Sequence, residues 1–152
     1  MDELPLHDGK ALSGRLRQLK PGAAEATTQM FLEIHPDWLV KYGERARKFG
    51  IEDAQYHIDF LAGAVEANSI QAFVEYCVWA AELLESRGIA RNFLVENLAQ
   101  VESALSSGLS PEEQAVIALF IEAGRLACTP GNSGSDQSST FGSAAGPVSP
   151  IE

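Results

Sequence analysis

Apolar residues return every three or four positions from residue 10 to residue 127, and nowhere does a long β-branched alternation set in. That spacing predicts helices from end to end of this stretch. Lys20-Pro21-Gly22 is expected to break the first helix, with Pro21 in the opening turn of a second over roughly 22–34. His35-Pro36-Asp37-Trp38 marks the next joint, because a proline restricts the residue before it. A central helix follows from about Ile51 to Ala67. Asn68 tolerates the left-handed turn that stops it, and the Ser69 hydroxyl caps the next helix, which ends at Gly88 as its C′ residue. Another helix spans about 91–106. The last opens with Ser110 as N-cap, Pro111 at N1 and Glu113 closing a capping box. The total is six to seven helices joined by short turns. Globin-like folds and helical bundles both fit that list, and periodicity alone does not choose between them.

Two of these helices have more faces than a core requires. In the central one, Ile51, Ala54, Ile58, Leu61, Ala62 and Val65 form an apolar stripe, and Gly50, Asp53, His57, Phe60 and Ala64 form a second beside it. Asp53 and His57 lie one turn apart, so their side chains can meet. The pair reads either as a polar boundary at the core edge or as one wall of a ligand site, with Gly50 giving clearance. In the next helix Ile70, Phe73, Val74, Cys77, Ala81 and Leu84 make the core stripe, which assigns Cys77 to inert packing. Tyr76, Trp79 and Leu83 fall on roughly the opposite side. Such an aromatic patch marks a ligand or partner surface, or else a helix buried all round.

Composition narrows the field. At 152 residues and 45% hydrophobic, the chain can bury one domain's core. Its formal charge of −10 opposes nucleic acid and anionic lipid, which carry the same sign. No run is long enough for a membrane span, and the acidic N-terminus lacks the apolar region of a signal peptide. With two distant cysteines and no CxxC, a cytoplasmic protein is expected. Residues 129–152, rich in Ser, Gly and Pro, read as a disordered tail. The expected organisation is a flexible stretch 1–9, a helical domain 10–128 and that tail. A nucleophile elbow, a phosphate-cradling glycine loop, HExxH and Glu-x-x-His pairs are all missing, and no enzyme is expected.

The segment FGIEDAQYHIDFLAGAVEANS resembles the chromophore helix of phycobiliproteins, commonly written C-x-R-D-x-x-Y-Y-L-R-x-x-x-Y-x-x-x-A-G-D. QMFLEIHPDW is similar to the family segment ending in x-R-P-D. FVEYCVWAAELLESRGIA and GLSPEEQAVIALFIEAG resemble the two later family segments in the same order. The colinear likeness covers about residues 15–127. It implies an all-α, globin-like fold, a bilin (an open-chain tetrapyrrole) beside the central helix, and self-association through the N-terminal helices into a homodimer or other homo-oligomer.

Residue by residue, what the resemblance implies is partial. The family's thioether cysteine falls at Gly50, so a bilin here is held non-covalently. The family's propionate-pairing arginine falls at Glu52, a reversal of charge. Its aspartate, which accepts from the inner pyrrole N–H groups, is kept as Asp53. Its tyrosine pair becomes Tyr56-His57, and Tyr76 stands for the tyrosine opening the next helix. These departures are similar to the non-photosynthetic bilin biosynthesis-associated globins, whose partners would include a haem oxygenase or bilin reductase. In such a site Asp53 makes charge-assisted bonds that hold its pKa low, and Tyr76 and Trp79 stack on the rings. Arg47, with Arg45 and Lys48, reads as a source of cations for the propionates or as a solvated helix face; Arg87 or Arg91 are further cations within reach. Two alternatives stand beside the bilin carrier or scaffold. One is a haem-binding globin with His57 or His35 as axial ligand, the other a ligand-free homo-oligomeric adaptor for those enzymes.

Overall fold

The computed structural model describes residues 7–129, and the N-terminal and C-terminal stretches expected to be flexible lie, apart from His7–Gly9 and Thr129, outside the described residues. Asp8 accepts from the amides of Lys10 and Ala11, both at 3.1 Å, and so caps α1, Gly9–Ile34. This helix runs straight through Lys20-Pro21-Gly22, where a break was expected. Pro21 and Gly22 face solvent, so the carbonyl that loses its amide partner can be hydrated. Leu12, Leu16, Ala23, Ala24 and Leu32 are buried on both sides of the proline, anchoring both halves of the helix to the core.

The joint at His35-Pro36 forms as the sequence predicts. It leads into α2, Asp37–Tyr42, a single short helix without one buried residue. Gly43 then takes φ 65 and ψ −147, a conformation open in practice to glycine alone. That turn lets the central helix α3 start at Glu44 and run to Glu66, earlier than its apolar stripe announces. The first turns of α3 are polar and helix-favouring, so periodicity gave no sign of them. Asn68, at φ 56, ends it in the left-handed region, and the Ser69 hydroxyl accepts from the Ala72 amide at 3.0 Å to cap α4, Ile70–Ser86. Gly88 follows at φ 84. Then come α5, Asn92–Ser106, and α6, Pro111–Cys128, whose capping box is complete: the Ser110 hydroxyl accepts from the Glu113 amide at 3.1 Å and the Glu113 carboxylate from the Ser110 amide at 3.0 Å.

The described residues are thus six helices with no strand. α1 lies along α3 and α5, α4 packs on α6, and α6 on α5. Phe73, Ile58, Leu61, Leu98, Ile117 and Phe120 meet between these layers with no exposed surface. Full burial of each contributes roughly 1.5–3 kcal/mol. Cys77 is fully buried among them, its thiol pushed up by burial, which is what inert packing requires. No described helix is long and apolar enough to cross a membrane.

Candidate functional site

α3 and α4 supply facing walls of a cleft, and residues of α1, α2 and the head of α5 complete it. The cleft between them has a volume of about 280 Å³, close to the lower end of the roughly 300–1,000 Å³ of small-molecule sites. Its walls are largely aromatic. Phe60 and Tyr76 stack with centroids 4.2 Å apart and planes 10° from parallel, and Trp79 continues the row at 6.1 Å from Tyr76. Across the gap Trp38 of α2 sets its edge against Phe31 at 5.2 Å and Phe93 at 5.3 Å. Both tryptophans of the chain therefore line one cavity.

Five of the six residues singled out from the sequence line this cleft: Asp53, Tyr56, His57, Tyr76 and Trp79. The off-stripe faces of α3 and α4 pointed to four of them, and the family resemblance to Tyr56. Arg47 is not among the lining residues; it donates to Gln29 at 3.3 Å and lies 3.9 Å from Glu44. Arg45 and Arg87 reach the cleft, while Arg91 makes a paired contact to Glu85, both bonds 2.8 Å.

Asp53 and His57 do not form the expected pair. His57 turns instead to Tyr76, whose Oη lies 2.6 Å from its Nδ1. Burial lowers the His57 pKa to about 4, with the Asn97 side chain opposing, so the imidazole is neutral. The Tyr76 hydroxyl is pushed well above its ordinary range by the same burial. Asp53 accepts no hydrogen bond from any described residue, and burial, then the neighbouring Glu52, raises its carboxyl from 3.8 to about 7, with Arg87 pulling the other way. The low pKa expected of it belongs to a carboxylate surrounded by donors, and no described residue supplies one.

Gly50 lines the cleft and has a further task that the sequence did not show. A Cβ there would lie 2.9 Å from the Thr28 methyl of α1, so the missing side chain is what lets α1 and α3 cross closely. Sequence reasoning also passed over Trp38, Phe31 and Phe93, which close the cleft from α2, α1 and α5, and Asn97 behind His57. The signal available for the first was Trp38 and Tyr42 one turn apart in a short helix between Pro36 and Gly43.

No family model, curated protein or solved structure matches the chain.

Proposed function

We propose that the chain is a globin-like carrier or scaffold that binds a linear tetrapyrrole without a covalent bond. One observation carries this reading: the half-buried Asp53 carboxyl, which accepts no hydrogen bond from any described residue, lies in an aromatic cleft. Its oxygens still reach water, and a ligand that displaced this water without replacing its hydrogen bonds would leave the carboxyl unsatisfied at a cost. An array of pyrrole N–H groups would satisfy it with charge-assisted bonds. Tyr76 and Trp79 would cover the conjugated rings, and Arg45 and Arg87 would meet the propionates. The bound pigment would supply visible absorption; the protein would supply shielding and orientation. A cavity of this size takes part of an extended pigment, its remainder lying along the rim beside Tyr56, which is 38% exposed.

Haem ligation is less well supported. His57 engages Tyr76 through Nδ1 at 2.6 Å, and His35 donates through Nε2 to Glu96 at 2.9 Å, away from the cleft lining. The adaptor reading relied on Trp79 as an outward patch, whereas Trp79 lines the cleft. Self-association, and transfer of the pigment to or from a haem oxygenase or bilin reductase, belong to the same proposal.

Titration with biliverdin, followed by visible circular dichroism, tests it. The expected result is an induced signal saturating at one pigment per chain, with Asp53→Asn weakening binding at least tenfold. An absence of induced signal, or equal binding by the variant, would overturn the reading.

A further inference from the structure

Between Pro36 and Gly43 the chain makes a helix too short to stand by itself. α2 has six residues, none of them buried, and an isolated helix shorter than about 12–15 residues is marginal in water. Its packing partners therefore decide whether it stays in place. Among the described residues, no side chain of α2 makes a hydrogen bond or ion pair to another element. Lys41 lies over the Tyr42 ring of the same helix at 5.2 Å, and the backbone bonds at the helix ends return to His35, Pro36 and Leu39. α2 touches α3, into which it leads, and Trp38 carries it across to the other elements. That ring sits 5.2 Å from Phe31 of α1 and 5.3 Å from Phe93 of α5. The two joints differ. His35 is pinned: its Nε2 lies 2.9 and 3.1 Å from the Glu96 oxygens, and its ring packs on Phe31 and Phe93 at 4.6 and 5.3 Å. Movement can therefore begin only at Pro36, which has no amide to donate and makes no side-chain cap. At the far end Gly43, at φ 65 and ψ −147, has the backbone freedom of a hinge. With α2 in place the cleft holds about 280 Å³, and Trp38 and Tyr42 face it. A pigment with four rings in a row needs more room than that.

We infer that α2 is a lid over the cleft, hinged at Pro36 and Gly43, with Trp38 as its latch. Withdrawing that ring from Phe31 and Phe93 opens the cleft to the ligand, and closure lays it against the bound molecule. The cargo named here rests on the pigment reading above; the hinges and the latch do not.

Spin labels on the ligand-free protein measure the lid directly. Cys77 and Cys128 are fully buried, so the labels go to introduced cysteines. One is Val40→Cys on α2, a position 87% exposed, and the other Ser103→Cys at an exposed position of α5. Pulsed electron resonance is expected to give two distances for this pair, and Trp38→Ala to move most molecules to the longer one. A control pair, Glu33→Cys with Ser103→Cys, lies ahead of the Pro36 joint and is expected to keep one distance in both backgrounds. A single α2 distance in the protein that retains Trp38, or equal movement of the control pair, would overturn the lid. The first of these readings is taken with Trp38 in place, so it does not depend on the folding of Trp38→Ala.

Stopped-flow mixing with biliverdin then separates a lid from a wall. Trp38→Ala is expected to raise the association rate constant roughly tenfold or more, because the pigment no longer waits for opening. Loss of a wall contact alone would speed dissociation and leave association unchanged, and that result would overturn the gating. If biliverdin binds neither protein, the pigment reading fails and the spin-label distances still decide the lid.

Discussion

Asp53 shows most plainly how a single side chain is both a cost and a handle. It ionises near 3.8 when unfolded and near 7 in the folded protein. Between those values the folded state holds the extra proton, so its contribution to stability is intact below about pH 4 and is lost as pH rises through about 7. Asp53→Asn removes that titration. Chemical denaturation should find the variant equal to wild type near pH 4 and about 2 kcal/mol more stable at pH 8, roughly half the full conversion because the cleft admits water. A bound donor array favours the ionised form, so pigment affinity should fall as pH drops below about 7, which a titration series across that range would measure. Gly50 makes the opposite point. Its contact with Thr28 was not legible in the sequence, because nothing local to α3 records how closely α1 crosses it. The Thr28 methyl cannot swing away easily, since its hydroxyl donates to the Ala24 carbonyl at 2.9 Å. Gly50→Ala should therefore destabilise by about 1–2 kcal/mol despite the better helix propensity of alanine, and Thr28→Ser, which removes the methyl, should recover at least half of that in the thermal melt.

Helix ends were read more easily than helix interiors. Ser110, Ser69, Asn68 and Gly88 act through bonds and dihedral angles within a turn of themselves, so their roles follow from local chemistry. Pro21 is also local, yet packing overrules it: the apolar side of α1 lies on α3 and α5 both before and after the proline. The helix continues with one amide missing. Pro21→Ala restores an amide partner for the Arg17 carbonyl at an exposed position and should stabilise the protein by about 1–3 kcal/mol, with no change in pigment binding; a loss of stability on denaturant unfolding would show that the proline relieves some constraint in α1. The polar start of α3 and the polar contacts of α5 escaped the sequence for a related reason. Helix-favouring charged turns have no apolar period, and Glu96 acquires its partner only when His35 arrives from the end of α1.

Across the whole molecule, the division between a buried core and a lined cleft was visible as two stripes on α3 and two on α4, because a helix that serves both has to be apolar on more than one side. Charge adds to that division. The chain carries a formal −10, yet the cleft presents Arg45 and Arg87 against the single acid Asp53. An anionic pigment would thus meet two cations and one acid at the cleft of a chain whose net charge repels it. The helical domain, the cleft and the placement of Trp38 and Trp79 in it are consequences of packing. That the cleft holds a bilin is the claim to test, and the colour of the purified protein tests it most directly. Co-expressed with a haem oxygenase, the wild type should carry visible pigment that stays with it through gel filtration and leaves on denaturation, and Asp53→Asn should emerge with little or none. Wild-type protein that emerges colourless from cells making abundant biliverdin would contradict the account.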